Sequence, residues 1–256
     1  MMSHISTLTR TFLVVALICF SGSILGDELD KNVAEFTKIN MSVSGNIELV
    51  QSDEHRVSLK LVRGNQDELV VDVRRGELEI TRDCGFGKRC TRPHLQVEGT
   101  IYFHSIDTLK MLGGGQMSAK DLTMPELEVS INGAGIFDLG AIDTEKIEFK
   151  INGAGTVSIE EGEFDHFSTS INGAGEIAVK EGTTTSCEVT INGGGDFSGI
   201  GLKSAVAEVN VRGAGDVRIH ASDELNVTIM GTGDVTYDGT PEVSSRILGT
   251  GNISKL

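Results

Sequence analysis

The sequence predicts an all-β solenoid, and three observations predict it. A short glycine-rich string returns at a fixed step of 20 residues, as INGAG at 131–135, 151–155 and 171–175 and as INGGG at 191–195. Apolar and polar residues alternate beside it, as in Leu127-Glu128-Val129-Ser130-Ile131, which is the period of a strand and not of a helix. Aligned on the 20-residue step, whole columns are apolar, so each copy has a face that only another copy can cover. The 256 residues include 32 Gly, 3 Pro and no Trp, which is too rich in glycine for an ordinary helical domain but long enough for one sizeable core.

Residues 1–26 read as a signal peptide. The apolar run at 11–20 (TFLVVALICF) follows Arg10, precedes the small residues Ser21, Gly22 and Ser23, and is short for a bilayer span. Cleavage after Ser23 or Gly26 fits this layout, and bulky Ile18 makes Cys19 a poor lipoprotein site. A retained anchor is the rival reading. The expectation is an exported chain in the periplasm, outer envelope or extracellular space, with no stable membrane insertion after cleavage.

Residues 27–110 carry strand-like runs at 47–50, 57–62, 69–73 and 78–80, with polar turns such as Arg63-Gly64-Asn65 and no Gly-x-Gly corner. They are expected to form a less regular β-layer that begins the solenoid and caps its first coil, because an open end exposes unpaired strand edges. Cys84 and Cys90 bracket GFGKR, and in an exported chain such a loop is expected to be closed by a disulfide. Zinc is the rival, without a second Cys or His pair at ligand spacing.

Residues 111–256 hold the repeat of the same domain, in coils of 18 to 20 residues. The first column is Met111, Ile131, Ile151, Ile171, Ile191, Val211, Ile229 and Ile247; the seventh is Met117, Phe137, Val157, Ile177, Phe197, Val217, Val235 and Ile253. Leu127, Ile147, Phe167, Cys187, Ala207, Leu225 and Val243 form a further apolar column, which predicts that Cys187 is a buried free thiol. All three columns are expected to point inward.

Between the first and seventh columns lie the corner glycines, in pairs: Gly113 and Gly115, Gly133 and Gly135, Gly153 and Gly155, Gly173 and Gly175, Gly193 and Gly195, Gly213 and Gly215, Gly231 and Gly233, Gly249 and Gly251. A tight reversal needs residues that accept positive φ, or that lack a Cβ where neighbouring coils crowd, and glycine meets both needs. Asn132, Asn152, Asn172 and Asn192 precede the corners, where Asn suits a turn and can form an amide ladder. INGAG is therefore read first as a structural device.

Directly after the corners stand Glu176, Asp196, Asp216 and Asp234, an acidic ladder that serves as a solvated turn position or as a weak cation site. Calcium β-rolls use consecutive nonapeptides and left-handed acyltransferase helices a six-residue apolar period, and the chain has neither. The six His share no column and no triad-like spacing, and no Lys or Arg column faces the acids, so no catalytic machinery is visible. The net charge, 22 − 37 = −15, disfavours nucleic acid as a partner.

The strand layer followed by such corners, with GAGDV at 213–217 and GTGDVTYDGTP at 231–241, resembles the head GIN domain of auto-transporter adhesins over roughly residues 33–253. Family members usually carry GSG where this chain has GAG, GGG or GTG. The resemblance implies a right-handed parallel β-helix, an envelope or extracellular location and a role in adhesion. It supplies no catalytic residues and no cofactor. The function expected is that of a non-enzymatic exported module that contacts a cell-surface glycan or protein, possible as a homo-oligomer. The alternatives are a glycan-binding or degenerate polysaccharide-lyase-like β-helix, for which an exposed aromatic platform is wanting, and a purely structural envelope scaffold.

Overall fold

The alternating pattern becomes strand almost throughout. In the computed structural model the described residues are 28–83, 85 and 94–256; the expected signal peptide and the expected Cys84–Cys90 disulfide lie outside them. The strands are β1 (Glu28–Asn32), β2 (Lys38–Met41), β3 (Ser44–Gln51), β4 (Arg56–Arg63), β5 (Leu69–Arg74), β6 (Glu77–Arg82), β7 (Gln96–Phe103), β8 (Thr108–Thr123), β9 (Glu126–Gly153), β10 (Thr156–Gly173), β11 (Glu176–Gly193), β12 (Asp196–Gly199), β13 (Leu202–Gly213), β14 (Val217–His220), β15 (Glu224–Gly231), β16 (Val235–Asp238), β17 (Glu242–Gly249) and β18 (Ile253–Lys255).

From β8 onward every pairing is parallel, and the register is that of the sequence repeat. Met111 opposes Ile131, Ile151 opposes Ile171 and Ile171 opposes Ile191, each 20 residues on; from Val211 to Ile229 the step is 18. The chain therefore climbs one strand spacing per coil, roughly 4.8 Å, and is a β-solenoid. The shortening falls between His220 and Glu224, where the third face of the coil is replaced by a tight link.

The first and seventh columns line the interior. Met111, Ile131, Ile151, Ile171, Ile191, Val211 and Ile229 are each 0 % exposed. Burying an aliphatic side chain of this size stabilises the fold by about 1.5–3 kcal/mol. Rings lock adjacent coils together: Phe167 packs on Phe149 and on Phe197, both with centroids 5.7 Å apart. One inward column is mixed, with Phe164 between Thr144 and Thr184, and there Thr144 and Thr184 donate to the carbonyls of Pro125 and Ser186 at 3.0 and 2.9 Å. Cys187 is buried and free, and burial raises its thiol pKa. The last coil departs from the expectation. Val243 and Ile247 keep their columns but are 39 % and 41 % exposed, because among the described residues no further coil covers them.

The paired glycines have two different duties. The first of each pair has positive φ, as at Gly153 (+138°), and a Cβ there would lie 2.3 Å from the carbonyl oxygen of Gly133 in the coil below. The second has positive φ only at Gly115. Gly155 turns inward instead, where a Cβ would come within 2.7 Å of Ile131 Cγ2.

The N-terminal layers are out of chain order. β2 lies between β6 and β8, and β3 between β7 and β8, all parallel. The chain thus builds its second layer first, then returns beneath it. β4 pairs antiparallel with β7, β1 with β4 and β5 with β6, so the end of the stack is closed by reversed strands. Met41 aligns with Met111 and Ile47 with Met117, so residues 41–49 are a degenerate copy of the repeat. Val43 replaces the first corner glycine, while Gly45 keeps the second.

Two measurements check this packing. Gly153→Val should lower stability in a urea titration by at least ~2 kcal/mol, through strain and a backbone clash, whereas Asn152→Ser should cost less. Gly194→Ala should be neutral within about 0.5 kcal/mol, since its Cβ would meet nothing within 4 Å. Equal losses at 153 and 194 would remove the corner argument. In thiol alkylation followed by peptide mapping, the Cys187 peptide should be labelled only after unfolding; labelling of folded protein would contradict its burial.

Candidate functional site

Along the corner ridge the sequence-predicted residues are brought together as stacked rows. Asn152 Nδ2 donates to Asn132 Oδ1 at 3.0 Å, Asn172 to Asn152 at 3.1 Å and Asn192 to Asn172 at 3.0 Å. Arg212 ends the row, its Nη1 3.4 Å from Asn192 Oδ1. Each interior amide thus uses one donor and one acceptor on its neighbours, so the row acts chiefly on the fold.

The acidic ladder divides in two. The N–H groups of Glu176 and Asp196 donate to the carbonyls of Gly155 and Gly175, each at 2.9 Å. One coil later a carboxylate takes over the carbonyl's role: Asp196 Oδ1 accepts the Asp216 N–H, Asp216 Oδ1 the Asp234 N–H and Asp234 Oδ1 the Asn252 N–H, at 3.0, 3.0 and 2.9 Å. One oxygen of each Asp is committed to the backbone, and the bond connects coil to coil. Among the described residues no three His, Cys, Asp or Glu side chains converge on a metal position.

A second acidic surface did not stand out as a column. Asp121, Asp143, Glu161 and Glu163 border a shallow hollow floored by Leu122 and Ile142, and Glu145 and Asp165 border the next, beside Phe164. The acids occupy alternate outward positions of successive coils on the third face, mixed with Thr123, Ala141 and Thr183. Reading every outward column, rather than the one beside the glycines, would have found them. On the neighbouring face Lys150 bridges Glu128 and Glu148 at 3.2 and 3.0 Å. Its pKa is raised, first by hydrogen bonding to Glu148, with partial burial opposing.

Ser204, His220 and Asp238 meet at the end of the third face, and their geometry is not that of a catalytic relay. The Ser204 hydroxyl donates to the backbone carbonyl of His220, not to the ring. Nδ1 of His220 is buried without a hydrogen-bond partner, and its pKa is lowered by burial and then by Lys203. Asp238 lies 3.7 Å from Lys203 Nζ. Nothing here deprotonates a hydroxyl nucleophile. Neither tyrosine is a free platform: Tyr102 lies under the Arg56 guanidinium at 5.6 Å, and Tyr237 packs on the core.

Comparisons with known proteins agree with this geometry. Among curated proteins no significant match is found. The chain is similar to three crystal structures at identities that speak for the fold alone. One is a "putative lipid binding protein" from Parabacteroides distasonis, with 24 % identity, TM-score 0.82, and 90 % of this chain and 96 % of that one covered. Another is a "putative adhesin" from the same organism, at 22 % and 0.79, covering 90 % and 98 %. The third is a "putative adhesin" from Parabacteroides merdae, at 20 % and 0.80, covering 90 % and 95 %. The family model described as "Putative auto-transporter adhesin, head GIN domain" matches residues 35–241, and the chain belongs to that family.

Proposed function

We propose that the protein is a non-enzymatic exported module that displays the outer faces of a rigid solenoid to a cell-surface protein or glycan. The observation that carries this reading is the disposition of its polar side chains. They stand on the outside in coil-spaced rows, and the rows at the corners are held by bonds between coils. Membership of a family described by adhesion supports it. The compartment proposed is the periplasm, outer envelope or extracellular space. Among the described residues no helix is long and apolar enough to cross a membrane.

The acidity of the chain narrows the partner. A formal net charge of −15 repels phosphate backbones and anionic lipid surfaces, and binding through the third face should weaken with salt. The lipid-binding description of one neighbour is not carried over, because the interior is filled by side chains such as Ile151, Phe167 and Val209. A screen of the protein against cells and a glycan array tests the reading. Saturable, salt-sensitive binding without turnover of the ligand is expected; cleavage of a polysaccharide would overturn it.

The acidic ladder generates a separate expectation. Each coil offers at most two free carboxylate oxygens, and only one at Asp196, Asp216 and Asp234, whereas calcium takes six to eight oxygens, so affinity should be millimolar at best. Calorimetry with calcium should show no micromolar site, in the native protein or in an Asp196→Asn, Asp216→Asn double variant. Micromolar binding lost in the double variant would make the ladder a metal site.

A further inference from the structure

The two ends of the solenoid are finished differently. At the N-terminal end β4 and β5 run antiparallel to the coils, and β1 pairs antiparallel with β4, so that these strands close the stack. At the other end, among the described residues, β17 pairs only with β15, and β18 only with β16. All eight residues of β17 are exposed, including Val243 and Ile247, although the residues beneath these two, Leu225 and Ile229, are each 0 % exposed.

The free edge of β17 has a defined hydrogen-bonding side. Glu242 N–H and Thr250 N–H point back to the carbonyls of Asp223 and Gly231. Strand alternation therefore leaves the N–H and C=O groups of Val243, Ser245 and Ile247 on the open side. These are also the residues whose side chains continue the inward columns. An occupant must supply a strand edge and an apolar face at once.

We infer that this end docks a second copy of the same chain, β17 against β17, antiparallel about a two-fold axis through Ser245. A two-fold axis perpendicular to the solenoid makes facing end strands antiparallel and gives each partner the same contacts. In this register Val243 lies opposite Ile247 of the second copy, so both uncovered columns are continued by apolar residues. Ser245 meets itself. The three open-side residues of each strand pair as hydrogen-bonded positions, and the outward residues between them as non-bonded ones.

Charge selects the same arrangement. Glu242 and Arg246 have no ion-pair partner among the described residues. Four residues apart on one strand, they are separated by roughly 13 Å and cannot meet within a chain. Across the two-fold axis Arg246 stands diagonal to Glu242 of the second copy, within reach of long side chains. Right-handed strand twist closes this diagonal and opens the one between the two Arg246 residues. The contact occurs twice. Residues 242–256 carry Glu242 against Arg246 and Lys255, so this coil escapes the acidity that keeps other faces of two copies apart.

The association goes beyond the proposed display function and is read independently of any ligand. One coil end offers about ten residues a side, against the 20 to 30 of a standard interface, so a dissociation constant on the order of 10–100 µM is expected. Sedimentation equilibrium from about 5 to 500 µM, a range set by that estimate, should show a reversible monomer–dimer equilibrium. Ser245→Pro removes an open-side N–H and no bond within the coil. It should abolish the dimer while leaving the circular dichroism of dilute protein unchanged. Arg246→Glu and Glu242→Arg should each weaken association about tenfold or more, and the double exchange should restore it. A monomer throughout the range overturns the inference. So does a dimer that survives Ser245→Pro or ignores both charge reversals, which would place the contact elsewhere.

Discussion

The structure depends on how closely the backbone of one coil approaches the backbone of the next at the corners. At Gly213, Gly231 and Gly249 a Cβ would stand 2.0 Å from the carbonyl oxygen of the glycine one coil below. No side chain fits in that space, so from Gly133 onward the first corner position is restricted to glycine by contact as well as by φ. Because each corner lies directly on the last, the strands between corners are held in register, and the inward columns follow. The Asn row and the Asp carboxylates add bonds along the same direction without setting it.

Much of the fold was legible because it repeats. One coil with Ile at the first column and glycine at the third and fifth is a weak signal, but eight aligned copies specify strand, register and interior together. What escaped the sequence lacks that redundancy. The row at Met41–Leu49 has Val43 where a glycine is expected, and its partners at Ile80 and Val97 come later in the chain, so no period exposes it. The reversal of β4 and β5 is a tertiary decision, since antiparallel and parallel strands share one alternation. Likewise the difference between Gly153 and Gly155 needs the neighbouring coil to be seen.

The site was legible in part. Asn132 to Asn192 and Asp196 to Asp234 were found because each is one residue type in one column. The sequence could not tell that Asp216 has one oxygen bound to the Asp234 N–H, which decides how much of the ladder is free to act on anything else. Asp143, Glu161 and Glu163 were overlooked for the opposite reason: Asp143 and Glu163 share a column that Thr123 and Thr183 interrupt, and Glu161 stands in the next, which Ala141 interrupts. A surface of this kind is written across coils, and changing one residue in one coil alters it without disturbing the columns beneath.

The parallel register also gives the molecule a direction of strength. The hydrogen bonds between coils lie along the solenoid axis, as in the parallel pairing of β9, β10 and β11. A pull applied along that axis from the last coil loads those bonds in tension, one rung after another, and peels the coils off in sequence. A force across the axis instead loads a whole face in shear, with all its rungs resisting together. For a module tethered at one end and gripped on its flank, the flank is the face that holds, and the orientation of the tether sets the force at which contact is lost.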